Sequence, residues 1–288
     1  MIVTSYLMGG LGNQLFQIFT TLSYGFEHKK KIVLPYADTS PGSVVRYTFW
    51  NNLLQPLIIF TTKNKTHKMT NEQLMAIKQI YREPCHEFKQ IPHFITNDLL
   101  LYGYFQSYLY FDTHFDTICN LIRLKKQKTI IHEKYISYYS NVNNEICSMH
   151  FRIGDYKNIQ DCHPLMDIDY YKDAIKEVDE NRKICKILYF CEKQDNHIVY
   201  PMIIELQTLY QHIDFVKVDD EIPDWEQMLL MSLCNHNIIA NSSFSWWGAY
   251  FNQYSNKIVC YPSKWFGPKL SDKDVSTMFP RDWLKIYV

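Results

Sequence analysis

ICSMHF (146–151), DIDYYKDAIKEV (167–178) and KILYFC (186–191) set a rhythm of strand, helix and strand in the second half of the chain. It continues with a helix across 196–210, the strand IDFVKV (213–218), the helix DWEQMLLMSLC (224–234), the strand NIIAN (237–241), the helix SFSWWGAYF (243–251) and the strand KIVCYP (257–262). Strands alternating with helices of this length predict a parallel sheet covered on both faces. In such a sheet ligands sit outside the carboxyl ends of the strands.

Working back towards the amino end, the first half opens in the same way. Residues 2–8 form an apolar run rich in β-formers, and Gly9, Gly10 and Gly12 follow it. An amphipathic stretch starts near Gln14 (QLFQIFTTLSYGFEHKK) and ends in lysines, as a helix carboxyl end favours; KIVLP (31–35) is the next strand. Between 39 and 97 the pattern is less regular, with a helix expected over 70–80 (TNEQLMAIKQI). LLLYGY (99–104) reads as a buried strand, FDTHFDTICNLIRL as a helix, and 125–144 as a helix plus the connection between two halves.

The 288 residues suit two modest domains, and 47% hydrophobic with 21% charged residues is ordinary for a globular chain. Thirty basic residues balance thirty acidic ones, so nothing points to a polyanion such as nucleic acid. Eight cysteines stand singly, without CxxC pairs or zinc spacing; they read as buried thiols of a reducing compartment. MIVTSYLMGG has neither a basic leader nor an apolar stretch of membrane-spanning length. The expectation is a cytoplasmic protein without an integral membrane segment, free to associate with a membrane peripherally.

Three motifs carry chemistry. GGLGNQ (9–14) joins a strand to a helix start, where unpaired N–H groups and the helix dipole favour an anion. Gly10 and Gly12 fit a G-x-G-x-x-G dinucleotide pattern, but Leu15 stands at its third glycine, and no Lys-Ser/Thr of a P-loop follows. A tight turn without a ligand explains this motif equally well. HFRIGDY (150–156) sits at a strand's carboxyl end. His150 and Arg152, two apart, share a strand face, and a guanidinium can fork onto two phosphate oxygens. Asp155 is placed to orient that arginine; the bland alternative is a surface ion pair. NSSFSWWGAY (241–250) puts Asn241, Ser242 and Ser243 at a helix start, with Ser242 or Ser243 as cap. Phe244 offers a flat face, while Trp246 and Trp247 read as core. Two helix starts and an arginine suit a nucleotide-sugar diphosphate. No Asp-x-Asp is present to chelate a metal between its phosphates, so cationic and backbone groups are expected to stabilise the leaving group.

These motifs, in order, resemble those of the α-1,2-fucosyltransferases, glycosyltransferase family 11. The resemblance covers GGLGNQLFQ (9–17), GYFQSYLYF (103–111), HFRIGDY (150–156), DYYKDAI (169–175), LMSLCNHNIIANSSFSWWGAYF (230–251) and the tail YPSKWF (261–266) with Pro280 and Trp283. It implies an α/β fold of the GT-B type, two Rossmann-like domains facing across a cleft, with the donor held mainly by the carboxyl-terminal one. It implies inverting, metal-independent transfer of fucose from GDP-fucose to a glycan acceptor, with no cofactor. Arg152 would grip the departing diphosphate, Gly10, Gly12, Asn13, Asn241, Ser242, Ser243 and Phe244 would help bind the donor, and Asn13 would also reach towards the reacting centre. The general base stays open between Asp155 and His150. The sequence departs from the family at Ile153, where a second arginine is usual, and at YFCEKQDN (189–196), where an acidic Ser-Asp-Asp type segment is expected. The domains are expected to be residues 1–140, on the acceptor side, and 141–288, on the donor side.

Overall fold

A computed structural model of the chain describes residues 1–40, 45–140 and 145–288. They divide into two units, Met1–Gln127 with Lys273–Pro280, and Lys128–Asp272 with Arg281–Val288.

The first unit contains β1 (Ile2–Ser5), α1 (Leu11–Glu27), β2 (Lys31–Ile32), a two-stranded ribbon β3 (Thr39–Ser40) and β4 (Arg46–Tyr47), α2 (Asn71–Met75), β5 (Ile80–Arg82), β6 (Leu99–Tyr102) and α3 (Phe115–Leu121). Its sheet is parallel, in the order β2-β1-β6-β5. Leu15, Phe16, Ile18, Phe19 and Leu22 of α1 are fully buried, as are Val3, Leu99 and Leu101 of the sheet. A helix apolar on most of its circumference takes such a central position. The helix expected over 70–80 is corrected: a capping box of Thr70 and Gln73 starts α2, which ends at Met75, and Ile80–Arg82 pairs with β6 instead. Parallel pairing overrides local helix preference there.

α4 (Leu124–Lys134) carries the chain into the second unit. Gln127 donates to Leu53 O (3.0 Å) on the side of the first unit, while Lys128 Nζ donates to Ser232 O and Phe251 O (both 2.9 Å) in the second. The passage therefore comes before the expected 140/141, a position bordering residues 141–144, which lie outside the described residues.

The second unit follows as β7 (Ile146–His150), α5 (Ile168–Arg182), β8 (Lys186–Phe190), α6 (Asn196–Leu209), β9 (Asp214–Lys217), α7 (Asp224–Leu233), β10 (His236–Ile238), α8 (Ser243–Tyr250), β11 (Val259–Pro262) and β12 (Leu284–Ile286). All six strands are parallel, in the order β12-β11-β10-β7-β8-β9. Counted from β7 this is the 3-2-1-4-5-6 order of the dinucleotide-binding fold, with its direction reversing between β7 and β10. Alternation along β7 and its extension decides which residues can work. Cys147, Met149, Phe151 and Ile153 enter an apolar cluster with Tyr170, Tyr171, Ala174, Ile175 and Val178 of α5. Ser148, His150 and Arg152 belong to the other face. β12, formed by the chain's return after residue 280, was not expected from the sequence.

Candidate active site

The crevice between β7 and β10 is where this strand order leaves room for a ligand. Two of the three sequence motifs end there. The loop after β7 carries Arg152, Ile153, Gly154 and Asp155; the loop after β10 carries Asn241 and Ser242, and α8 begins at Ser243. Their side chains meet. The His150 and Phe244 rings lie 5.6 Å apart, and Tyr156 OH donates to Asn241 O (3.3 Å). His150, Arg152, Asp155, Asn241, Ser242, Ser243 and Phe244 are thus gathered at the carboxyl ends of two neighbouring strands.

Arg152 is at its centre. Its side chain is 17% exposed; Nη1 pairs with Glu192, Nη2 with Asp155, and the guanidinium lies 4.5 Å above the Tyr156 ring. Burial works against its charge, and Tyr156, Asp155 and Glu192 outweigh burial and raise its proton affinity. Gly154, at φ +35, follows directly. A Cβ there would lie 2.7 Å from both Arg152 Nη1 and Glu192 Oε1. Only glycine accommodates both that conformation and that close approach. The loop is held from below by Asp195, buried at the start of α6, which accepts from Gly154 N (2.7 Å) and Lys157 Nζ (2.9 Å).

His150 is buried, its carbonyl accepts from Tyr171 OH (3.1 Å), and its Nδ1 has no hydrogen-bond partner among the described residues. Burial first, then the charges of Arg152 and Lys217, pushes its imidazole down to about 3. It is neutral at pH 7. An imidazole this acidic is poorly matched to taking up a proton, and well suited to a neutral hydrogen bond.

Across the crevice, Ser242 caps α8 by accepting from Phe244 N (3.3 Å). Asn241 is buried and donates to Pro164 O (2.9 Å) and Trp265 O (3.3 Å), so it ties two neighbouring loops, while its Oδ1 is buried with no partner among the described residues. Ser243 and Phe244 are half-buried, and Trp246 and Trp247 are core, as their sequence context suggests.

The glycine motif lies in the first unit. Gly10 is the N-cap of α1 and gives no side-chain cap; Gly12 and Asn13 are in its first turn. Two buried glutamines fix this turn. Gln14 Nε2 donates to Gly9 O (2.9 Å) and Tyr47 O (2.8 Å), and the Gln17 amide takes Met8 N (2.8 Å) and gives to Met8 O (2.9 Å). Asn13 Oδ1 accepts from Gln106 Nε2 (2.7 Å).

Sequence reasoning missed Glu192, Asp195, Gln14 and Gln17. The first two stand just past the carboxyl end of β8, in the YFCEKQDN segment, and strand-end position was the signal available for them. The glutamines look like polar interruptions of an amphipathic helix, and only the folded turn shows their partners. All eight cysteines are free thiols, but the expectation that they are buried is corrected for Cys85, which is exposed, and for Cys162 and Cys185, which are half-buried. Among the described residues no helix is long and apolar enough to cross a membrane, and no three His, Cys, Asp or Glu side chains cluster as a metal would require.

Comparison with known proteins places these motifs in a lineage. The family model for glycosyl transferase family 11 matches residues 4–286. The O-antigen biosynthesis glycosyltransferase WbnK of Escherichia coli is 30% identical over 188 residues, 60% of this chain. The match spans only 57% of that relative's own length. An alpha-1,2-colitosyltransferase of Escherichia coli is 25% identical over 302 aligned positions, 99% of each chain. Among solved structures, the fucosyltransferase NodZ from Bradyrhizobium is similar at TM-score 0.45 and 12% identity, covering 86% of this chain and 91% of that one. POFUT1 in complex with GDP-fucose is similar at TM-score 0.47 and 11% identity, covering 89% and 95%.

Proposed function

We propose, from the premise that this chain belongs to glycosyl transferase family 11, that it transfers fucose from GDP-fucose to a hydroxyl of a glycan acceptor, forming an α-1,2 linkage to galactose. Transfer inverts the anomeric carbon and uses no metal ion. One observation carries the reading: the His-Phe-Arg-Ile-Gly-Asp and Asn-Ser-Ser-Phe motifs converge where the strand order reverses, with the His150 and Phe244 rings 5.6 Å apart. In this reading Arg152 takes the diphosphate and balances the charge that grows on it as GDP leaves. Asp155 orients Arg152. The start of α8, with Ser242 and Ser243, adds N–H and hydroxyl donors, and Phe244 with neutral His150 bounds the nucleotide.

A second reading, transfer of a sugar other than fucose, draws support from the full-length likeness to the alpha-1,2-colitosyltransferase. One experiment separates them. GDP, UDP and dTDP are titrated against the protein, and turnover is measured in EDTA with GDP-fucose and with nucleotide-activated colitose. The expected outcome is preference for GDP, turnover of GDP-fucose undiminished by EDTA, and a loss of roughly 10²–10³ in rate for Arg152→Ala. Binding of UDP or dTDP as tight as GDP would remove the proposed donor. Turnover of colitose alone would establish the second reading.

A further inference from the structure

We propose that Glu192 occupies one prong of Arg152 and yields it to an incoming diphosphate, so that the Glu192 charge sets donor affinity. This rests on reading Arg152 as the diphosphate-binding group. Arg152 faces two carboxylates, Glu192 on Nη1 and Asp155 on Nη2. One guanidinium and two carboxylates sum to a net negative charge, the wrong sign for an anion site while both carboxylates stay in place. One of them has to withdraw, and the structure distinguishes the two.

Asp155 is three residues from Arg152 in the same loop. Exposure does not separate them, at 52% for Asp155 and 49% for Glu192; what does is that Glu192 reaches across from the end of β8 and has a second oxygen already engaged by Gln194 Nε2 (2.7 Å) in its own segment. Turning towards solvent therefore costs Glu192 a single ion pair. The backbone does not depend on that pair, because Asp195 holds Gly154 and Lys157 independently. The Glu192 charge is also felt elsewhere: burial, and after it Glu192, pushes the Asp224 carboxyl above its ordinary value. Gly154 keeps the approach open, since a Cβ would meet both Arg152 and Glu192. Glu192 is thus a positioning residue that acts through Arg152.

The test uses the whole chain, with GDP and inorganic pyrophosphate as probes in titration calorimetry, and donor KM and kcat measured alongside. Glu192→Gln keeps the shape and removes the charge, and is expected to bind both probes about tenfold tighter. Its donor KM should fall while kcat does not rise. Glu192→Asp, which retains the charge, should stay near wild-type affinity. A merely structural Glu192 would leave both affinities unchanged or weaken them, and a Gln variant behaving so, with an unchanged melting temperature, overturns the proposal. If wild type binds the probes and Arg152→Lys weakens them, only the role of Glu192 has failed. If no variant binds GDP or pyrophosphate, the diphosphate reading of Arg152 falls, and this proposal with it.

Discussion

Ile153 shows how one residue's direction decides what it can do. The resemblance read from the sequence puts a second arginine here, yet this side chain is 7% exposed and packs in the apolar cluster with Phe151, Tyr171 and Cys191. Its neighbour Arg152 lies outside that cluster, against Glu192, Asp155 and Tyr156. Introducing the family residue therefore tests stability before it tests donor choice. Ile153→Arg buries a charge among apolar side chains and is expected to cost several kcal/mol, about 3 or more, unless the loop moves. Ile153→Leu conserves volume and should cost less than about 1.5 kcal/mol. Thermal melting decides it: an arginine variant melting with wild type would mean that the side chain finds solvent or an acid, and that the core assignment is wrong.

At the scale of elements, the turn before α1 separates fold from ligand. Gly9 lies at φ +75 and an added Cβ would collide with the Asn13 side chain, whereas Gly10 lies at φ −76 with nothing within 4 Å of such a Cβ. Gly9→Ala should lower stability by about 1–2 kcal/mol. Gly10→Ala should cost below about 1 kcal/mol and reduce kcat/KM, because its openness is useful only for something that approaches the backbone. Full activity in Gly10→Ala would take Gly10 out of the ligand-contacting set. Gly9 was named in the glycine run but not among the candidate binding residues, because a glycine run does not say which member needs the left-handed backbone. The helices and strands of the second unit were legible from their alternating periods, and strand ends pointed to Arg152 and Asn241. Short strands such as β5 and β12 were not: Ile80–Arg82 is half-exposed and its local pattern is helical, and both strands are defined by distant partners. Asp195 was hidden for a related reason, since a buried carboxylate takes its meaning from the Gly154 N–H and Lys157 that fold onto it.

The whole molecule is an α/β protein of two parallel-sheet units, and its tail serves both. Residues 273–280 belong to the first unit, where Thr277 bonds Phe88 N (2.7 Å) and Ser107 Oγ, and Met278 and Phe279 are buried. Residues 281–288 return to the second, where β12 covers the edge of β11 and Trp283 and Ile286 are buried. Deleting 273–288 exposes or removes four large apolar side chains, about 6–12 kcal/mol of burial, which rivals the stability of a whole domain. A chain ending at Asp272 is expected to be insoluble or to lack a cooperative melt, and a soluble product melting like wild type would show the tail to be an accessory. The same path has a consequence in time. Ribosomes release chains from the amino end, and domains generally fold in that order. Here the first unit receives Thr277, Met278 and Phe279 only after almost all of the second has been made. The part of the molecule synthesised first is among the last to be completed: its sheet is whole by residue 102, but its core waits for Met278 and Phe279 until nearly the entire chain has been made.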